Sequence, residues 1–199
     1  MEISVLAFDP GETTGWCAMT LSKSKFLITK QYRLDTEVRF SSGQVNCRDD
    51  ENDGVRRLLN VWADFPLACV VHEDFIIDFN KIDQARHTLS PVRITAKFEF
   101  GAYLHGLSEE QIFIQNRSPV KTTCTDDRMK VWGLYDSHSG RHARDATRHA
   151  FYFFRRCHGD SLKARELRWR AWPLAFEDPR AVVAPKRVRP AGERVAGLG

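Results

Sequence analysis

The chain opens on a nearly apolar run, Ile3 to Phe8, that stops abruptly at Asp9 and a Pro10-Gly11 break. No other feature constrains the fold as much. A run of this length and composition reads as a buried strand. The carboxylate at its end has to be solvated, paired or bound to a metal, because an isolated buried charge is very costly. Asp9 therefore either caps a turn or holds a cation. Beyond the break, Gly15 to Leu21 forms a second run that can pair back as a hairpin.

The same pattern, an apolar run ending in acid, recurs once. Asp53 looks like the start of a helix in which Val55, Leu58, Leu59, Trp62 and Phe65 recur at helical spacing, ended by Pro66, and this aromatic stripe is expected in the core. "LACVV" then leads as a strand into His72-Glu73-Asp74. Between the hairpin and that helix, Phe26 to Leu34 is expected to be a third strand and the polar, Gly43-containing stretch 35–52 a loop. Downstream, Pro91 to Leu104 suits a helix with Val92, Ala96, Phe100 and Leu104 in register. Gln111 to Gln115 is another short strand, Val120 to Leu134 is expected to be a short helix carrying Lys121 and Lys130, and "HARDATRHAFYFFRRC" is a final helix. Hairpin strands followed by alternating helices and strands imply an α/β fold: a mixed sheet covered by helices on its faces.

With 199 residues there is room for one domain of about 150 residues plus a tail. Apolar periodicity decays after about Gly159, so the expected organisation is a domain over 1–159 and a flexible, basic tail over 160–199. A content of 42% hydrophobic and 28% charged residues excludes a disordered or membrane-embedded chain. The N-terminus has no signal-like segment, so a cytoplasmic protein with no membrane partner is expected. Five cysteines without Cys-x-x-Cys spacing argue against a disulfide framework or a structural zinc site and read as reduced thiols. The net charge of +4 is concentrated toward the C-terminus, which suits a polyanionic partner.

Three acids sit where the chain changes character: Asp9, Glu73, and Asp145 near the start of the last helix. If the first and fourth strands are parallel neighbours, their carboxyl ends lie side by side, and a helix laid over that edge brings Asp145 to the same place. Three close carboxylates repel unless cations neutralise them. Oxygen ligands without cysteine suit Mg²⁺ or Mn²⁺. On the last helix His142, Asp145 and His149 share one stripe, while Ala146, Ala150, Phe153 and Phe154 point more toward the core. His142 can join the site as a ligand or as an acid or base. His149 reads as packing or surface. The bland alternatives are a turn residue for Asp9, an exposed strand end for Glu73, an ion pair with Arg141 or Arg148 for Asp145, and a solvated lysine for Lys121.

Taken together, "VLAFDPGETTGWCAM", "CVVHEDFI", "RSPVKTT" and "HARDATRHA" resemble the RuvC-type Holliday junction resolvases over roughly residues 3 to 157. The resemblance implies a ribonuclease-H-like fold with a five-stranded mixed sheet flanked by helices. It also implies a dimeric, Mg²⁺-dependent endonuclease that makes paired nicks in four-way DNA junctions, using two ions per site. By position, Asp9, Glu73 and Asp145 match the metal-binding acids and Lys121 a basic residue that contacts the backbone. His142 stands where many members carry another Asp and some His. Phe75 to Asn80 is a candidate for placing an aromatic side chain against an unstacked base, and the helix Pro91 to Leu104 for the interface of the homodimer. "DATRHA" is more polar than the usual continuation, the segment 35–52 is longer, and the tail has no counterpart. Such a chain suits a phage-encoded member working in the host cytoplasm. The readings that compete are a broader ribonuclease-H-like nuclease on branched DNA or structured RNA, and an inactive junction-binding protein. Actin-like ATPases also place an Asp-x-Gly after their first strand, but they need a second domain for which this chain has no room.

Overall fold

The computed structural model describes residues 1–28, 38–65, 67–75 and 89–181. Five strands form one sheet in the order β3-β2-β1-β4-β5: β1 (Glu2–Asp9), β2 (Thr13–Ser22), β3 (Arg39–Asn46), β4 (Cys69–Glu73) and β5 (Ile112–Gln115). β1 is antiparallel to β2, and β2 to β3, whereas β1, β4 and β5 run parallel, so the sheet is mixed as expected. The parallel strands are apolar on both faces, as strands covered on both sides must be. Val5 and Ala7 face one core with Val71 and Phe113, while Leu6 and Phe8 face a second with Val70.

On the second face lie α2 (Glu51–Ala63) and α3 (Ser90–Leu104). Asp50 caps α2, its side chain accepting from the backbone N–H groups of Asn52 and Asp53, and Val55, Leu58 and Trp62 turn inward. Glu51 ties the two helices together by accepting from Arg93 and Lys97. α3 buries Ile94, Phe98 and Ala102, not the register expected from the sequence. Val92, Ala96, Phe100 and Leu104 instead form an exposed stripe.

The first face is covered by α6 (Arg141–Cys157), through Ala143, Ala146, Ala150, Phe153 and Phe154. The expected helix over Val120–Leu134 is two short ones, α4 (Arg117–Thr123) and α5 (Asp126–Val131). They are separated at Cys124-Thr125 because the Thr125 hydroxyl caps a new N-terminus by accepting from the Arg128 N–H. All five cysteines are buried free thiols, as expected. Burial pushes the Cys17 thiol up to about 12 and the Cys124 thiol to about 11, so both stay protonated.

Two further expectations are corrected. The third strand is Arg39–Asn46, inside the stretch read as a loop, and the chain at Lys23–Ile28 is a short helix, α1. Residues 29–34 of the expected strand lie outside the described residues. The chain from 160 also does not begin as a loose tail, because α7 (Leu162–Ala171) and the residues after it close the first core. Gly159, at φ +103°, reverses the chain into α7. Buried Arg168 donates to the Cys157 and Gly159 carbonyls, capping the end of α6. The Trp172 ring stacks on Phe154 with centroids 5.5 Å apart, and its indole N–H donates to the Ser4 carbonyl at 2.8 Å. Residues 182–199 lie outside the described residues. Among the described residues no helix is long and apolar enough to cross a membrane.

If 162–175 is part of the core, Trp172→Ala costs about 3–5 kcal/mol in urea denaturation, as large-to-small changes at well-packed aromatic sites do. A dangling tail would leave the midpoint where it was.

Candidate active site

β1 and β4 are parallel neighbours in register from Val5↔Cys69 to Phe8↔His72, so Asp9 and Glu73 end at the same edge of the sheet. α6 starts directly above that edge. Its first residues lie so close to β2 that a Cβ at Gly15, the partner of Asp9 in the hairpin, would overlap the His142 backbone. Glycine is required there by the close approach. The N-cap of α6, Gly140, offers no side chain, and a β3 residue does the capping: Gln44 accepts from the His142 N–H at 3.1 Å.

This seating brings all five residues expected from the sequence to one region, each carboxylate against a base. Asp9 accepts from His142 Nδ1 at 2.6 Å. Glu73 Oε2 meets His149 Nε2 at 3.2 Å, and Arg117 Nε stands 3.7 Å from Oε1. Asp145 accepts from Lys121 Nζ at 3.2 Å and pairs with Arg148, which also holds Asp126 and donates to the Cys124 carbonyl. The Asp145–Arg148 pair is one of the bland alternatives for Asp145, and it coexists with the contact to Lys121.

The acids sense one another. Burial pushes the Asp9 carboxyl above its ordinary value, the hydrogen bond from His142 opposes this, and the charges of Glu73 and Asp145 add to the rise. Burial also pushes Glu73 up, but the hydrogen bond from His149 and the charges of His149, Arg117 and Lys121 outweigh it, leaving Glu73 below its ordinary value. With Nδ1 engaged by Asp9, Nε2 is the ring nitrogen of His142 left open among the described residues, and the side chain is 44% exposed.

In chemical type the donors suit a hard divalent cation: three carboxylates, of which Asp9 is destabilised as an anion first by burial and then by the charges of Glu73 and Asp145, plus one imidazole nitrogen. Among the described residues no three His, Cys, Asp or Glu side chains close on a single point, so the donors converge without forming a finished cage.

Sequence reasoning missed Gln44 and Arg117 as parts of this assembly and read His149 as packing or surface. His149 is buried under the site and joins Gln115 Oε1 (3.0 Å) to Glu73. Its signal was a polar residue four positions after Asp145 on a helix face otherwise made of Ala and Phe. Of the stretch Phe75–Asn80, only Phe75 lies within the described residues, which leaves the expected base contact outside them.

No family model matches the sequence, and no curated protein matches it. Two solved structures from Thermus thermophilus do resemble the chain. RuvC in complex with a Holliday junction substrate is 16% identical at a TM-score of 0.52, covering 75% of this chain and 94% of that one. RuvC described without a substrate is 16% identical at 0.51, covering 75% and 92%. A five-stranded mixed sheet in this order, with helices on both faces, defines the ribonuclease-H-like class of fold. Within that class the chain has the RuvC-type fold.

Ionised Glu73, held below 4.5, adds stability that is complete above that pH and is lost as the pH falls through its lower native value. In His149→Ala the burial cost remains and only the charges of Arg117 and Lys121 still oppose it, so the Glu73 midpoint rises and its contribution to stability shrinks. Carboxyl ¹³C titration by NMR reads this directly. A midpoint unmoved by the substitution would refute the coupling.

Proposed function

We propose that the protein is a structure-selective endonuclease that cleaves branched DNA, four-way junctions foremost, by metal-dependent phosphodiester hydrolysis. The observation that carries this reading is that Asp9 and Glu73 end at one edge of the sheet with Asp145, on α6, close enough for its charge to act on Asp9, on a fold shared with a protein solved on a Holliday junction. The acids would hold Mg²⁺ or Mn²⁺, two ions by the resemblance, with the open nitrogen of His142 as the fourth donor. Such ions supply a nucleophilic water and stabilise the leaving oxygen. Within the chain, His149 and Arg117 orient Glu73, and Arg148 orients Asp145. Lys121, with a side chain 35% exposed, is the cation placed to offset charge on the scissile phosphate. With such a substrate the protein works in the cytoplasm of the cell whose DNA it processes.

The exposed stripe of α3 supports a homodimer. Phe100, Tyr103 and Leu104 are 60–65% exposed on one helix face, with Val92 and Ala96 continuing the stripe, and apolar side chains grouped in this way mark an association surface. A twofold enzyme matches the two symmetric cuts a junction needs.

Asp9→Asn is expected to lower Mg²⁺-dependent nicking of a labelled four-way junction by about 10²–10³-fold or more. Junction affinity survives, and thermal stability at neutral pH rises, because the substitution removes a carboxylate whose ionisation the fold opposes. Cleavage by the folded wild-type protein of fork, flap or structured RNA in preference to the junction would replace the junction reading with the broader nuclease. Absence of any cleavage would leave only a binding protein. Phe100→Glu is expected to yield a monomer in sedimentation analysis with the fold retained, and an unchanged oligomer would clear α3 of this role.

A further inference from the structure

A second cationic surface lies away from the acids, at the other end of α6. Arg156, Lys163, Arg170 and Arg180 line a groove of about 430 Å³ together with Glu166, Leu167 and Trp169. The Arg180 guanidinium lies over the Trp169 ring at 4.6 Å and is held by Asp178, with Glu166 and Glu110 also acting on it, so its charge is largely balanced. Arg156, Lys163 and Arg170 differ: among the described residues no carboxylate stands within ion-pairing distance of any of them. Three unbalanced cations from two adjacent helices, facing one acid, form a site for a polyanion.

The groove connects to the acids along the sheet edge. β5 is the outermost strand on this side, and Gln115 at its end is opposite Glu73. Two residues back, about 7 Å along the strand, Arg170 lies over Phe113 at 5.1 Å. Arg117, 51% exposed beside Glu73, adds a cation at the acid end of this edge. Asp145 and Arg156 are eleven residues apart on α6, about 16 Å, the rise of about five base pairs of duplex.

We propose that this groove binds the phosphodiester backbone of a duplex arm of the junction, beginning about five base pairs from the cleaved linkage. The assignment rests on the nuclease reading above and adds to it a second point of attachment remote from the acids, formed by the end of α6 and the segment after residue 159. Its cations are spread over two helices in an open groove, which suits a run of phosphates better than one small anion.

The test is the salt dependence of affinity for a long-armed four-way junction under conditions that block cleavage. Taking one cation away from the phosphate backbone lowers the slope of log K against log salt by about 0.9. Arg156→Gln/Lys163→Gln in the full chain is expected to lower it by about 2 and to weaken binding at physiological salt about tenfold. Arg56→Gln/Arg57→Gln, which removes the same charge from exposed residues of α2, is expected to leave the slope unchanged. Ethylation of arm phosphates about five base pairs from the crossover is expected to interfere with the wild-type protein and not with the groove variant. An unchanged slope in a groove variant that melts like wild type, or an equal fall in the α2 control, overturns the groove and leaves the nuclease reading standing. No junction binding by the unaltered protein overturns both.

Discussion

Like charges brought together in a half-buried place must be balanced, and the structure is arranged around that requirement. Two carboxylates stand at the carboxyl edge of the sheet and a third on the helix above it, and that helix supplies a basic partner for each: His142 for Asp9, Arg148 for Asp145 and His149 for Glu73. α6 thus acts both as a core element, through its Ala and Phe residues, and as the counter-charge of the site. The balance is uneven. Glu73 is held as a ready anion and Asp9 is not, so the acid at the end of β1 is the one an incoming cation would relieve most.

Holding that helix in place takes contributions from across the fold. Gly15 removes the side chain that would push the start of α6 off the sheet, and Gln44 reaches from the edge strand to cap it. At the other end Arg168 caps its last carbonyls, and Trp172 packs beside Phe154 under β1. The residues after 159 therefore hold the far end of the helix whose near end carries His142 and Asp145, and they also carry Lys163 and Arg170, two of the three unbalanced cations of the groove. Anchoring and charge placement fall on the same short segment.

Much of this was legible in the sequence. Apolar runs ending in acid located β1 and β4 and singled out Asp9 and Glu73, and the Ala and Phe spacing located α6 and its buried face. The failures share a physical cause: what an element pairs or packs with is not written in its own composition. β3 is an edge strand with a mostly exposed, Ser- and Gly-containing sequence, held by its ladder with β2, and backbone pairing leaves no mark on composition. α7 buries Ala164, Ala171 and the stem of an arginine, so its pattern reads as a solvated charge run. On α3 the apolar residues are real but lie on two faces, and periodicity could not say which one was covered.

What the sequence determined by itself is therefore the set of chemical groups and the elements that carry them, because strand and helix periodicities are local and apolar runs must be buried wherever they occur. What only the tertiary structure decided is pairing: that His149 serves Glu73, that Arg148 and Lys121 share Asp145, that a glutamine from β3 caps α6, and that an apparent tail closes the core. Those contacts join residues that are in most cases far apart along the chain. Their energies depend on distance and burial, which only the packing of one helix across four strands fixes.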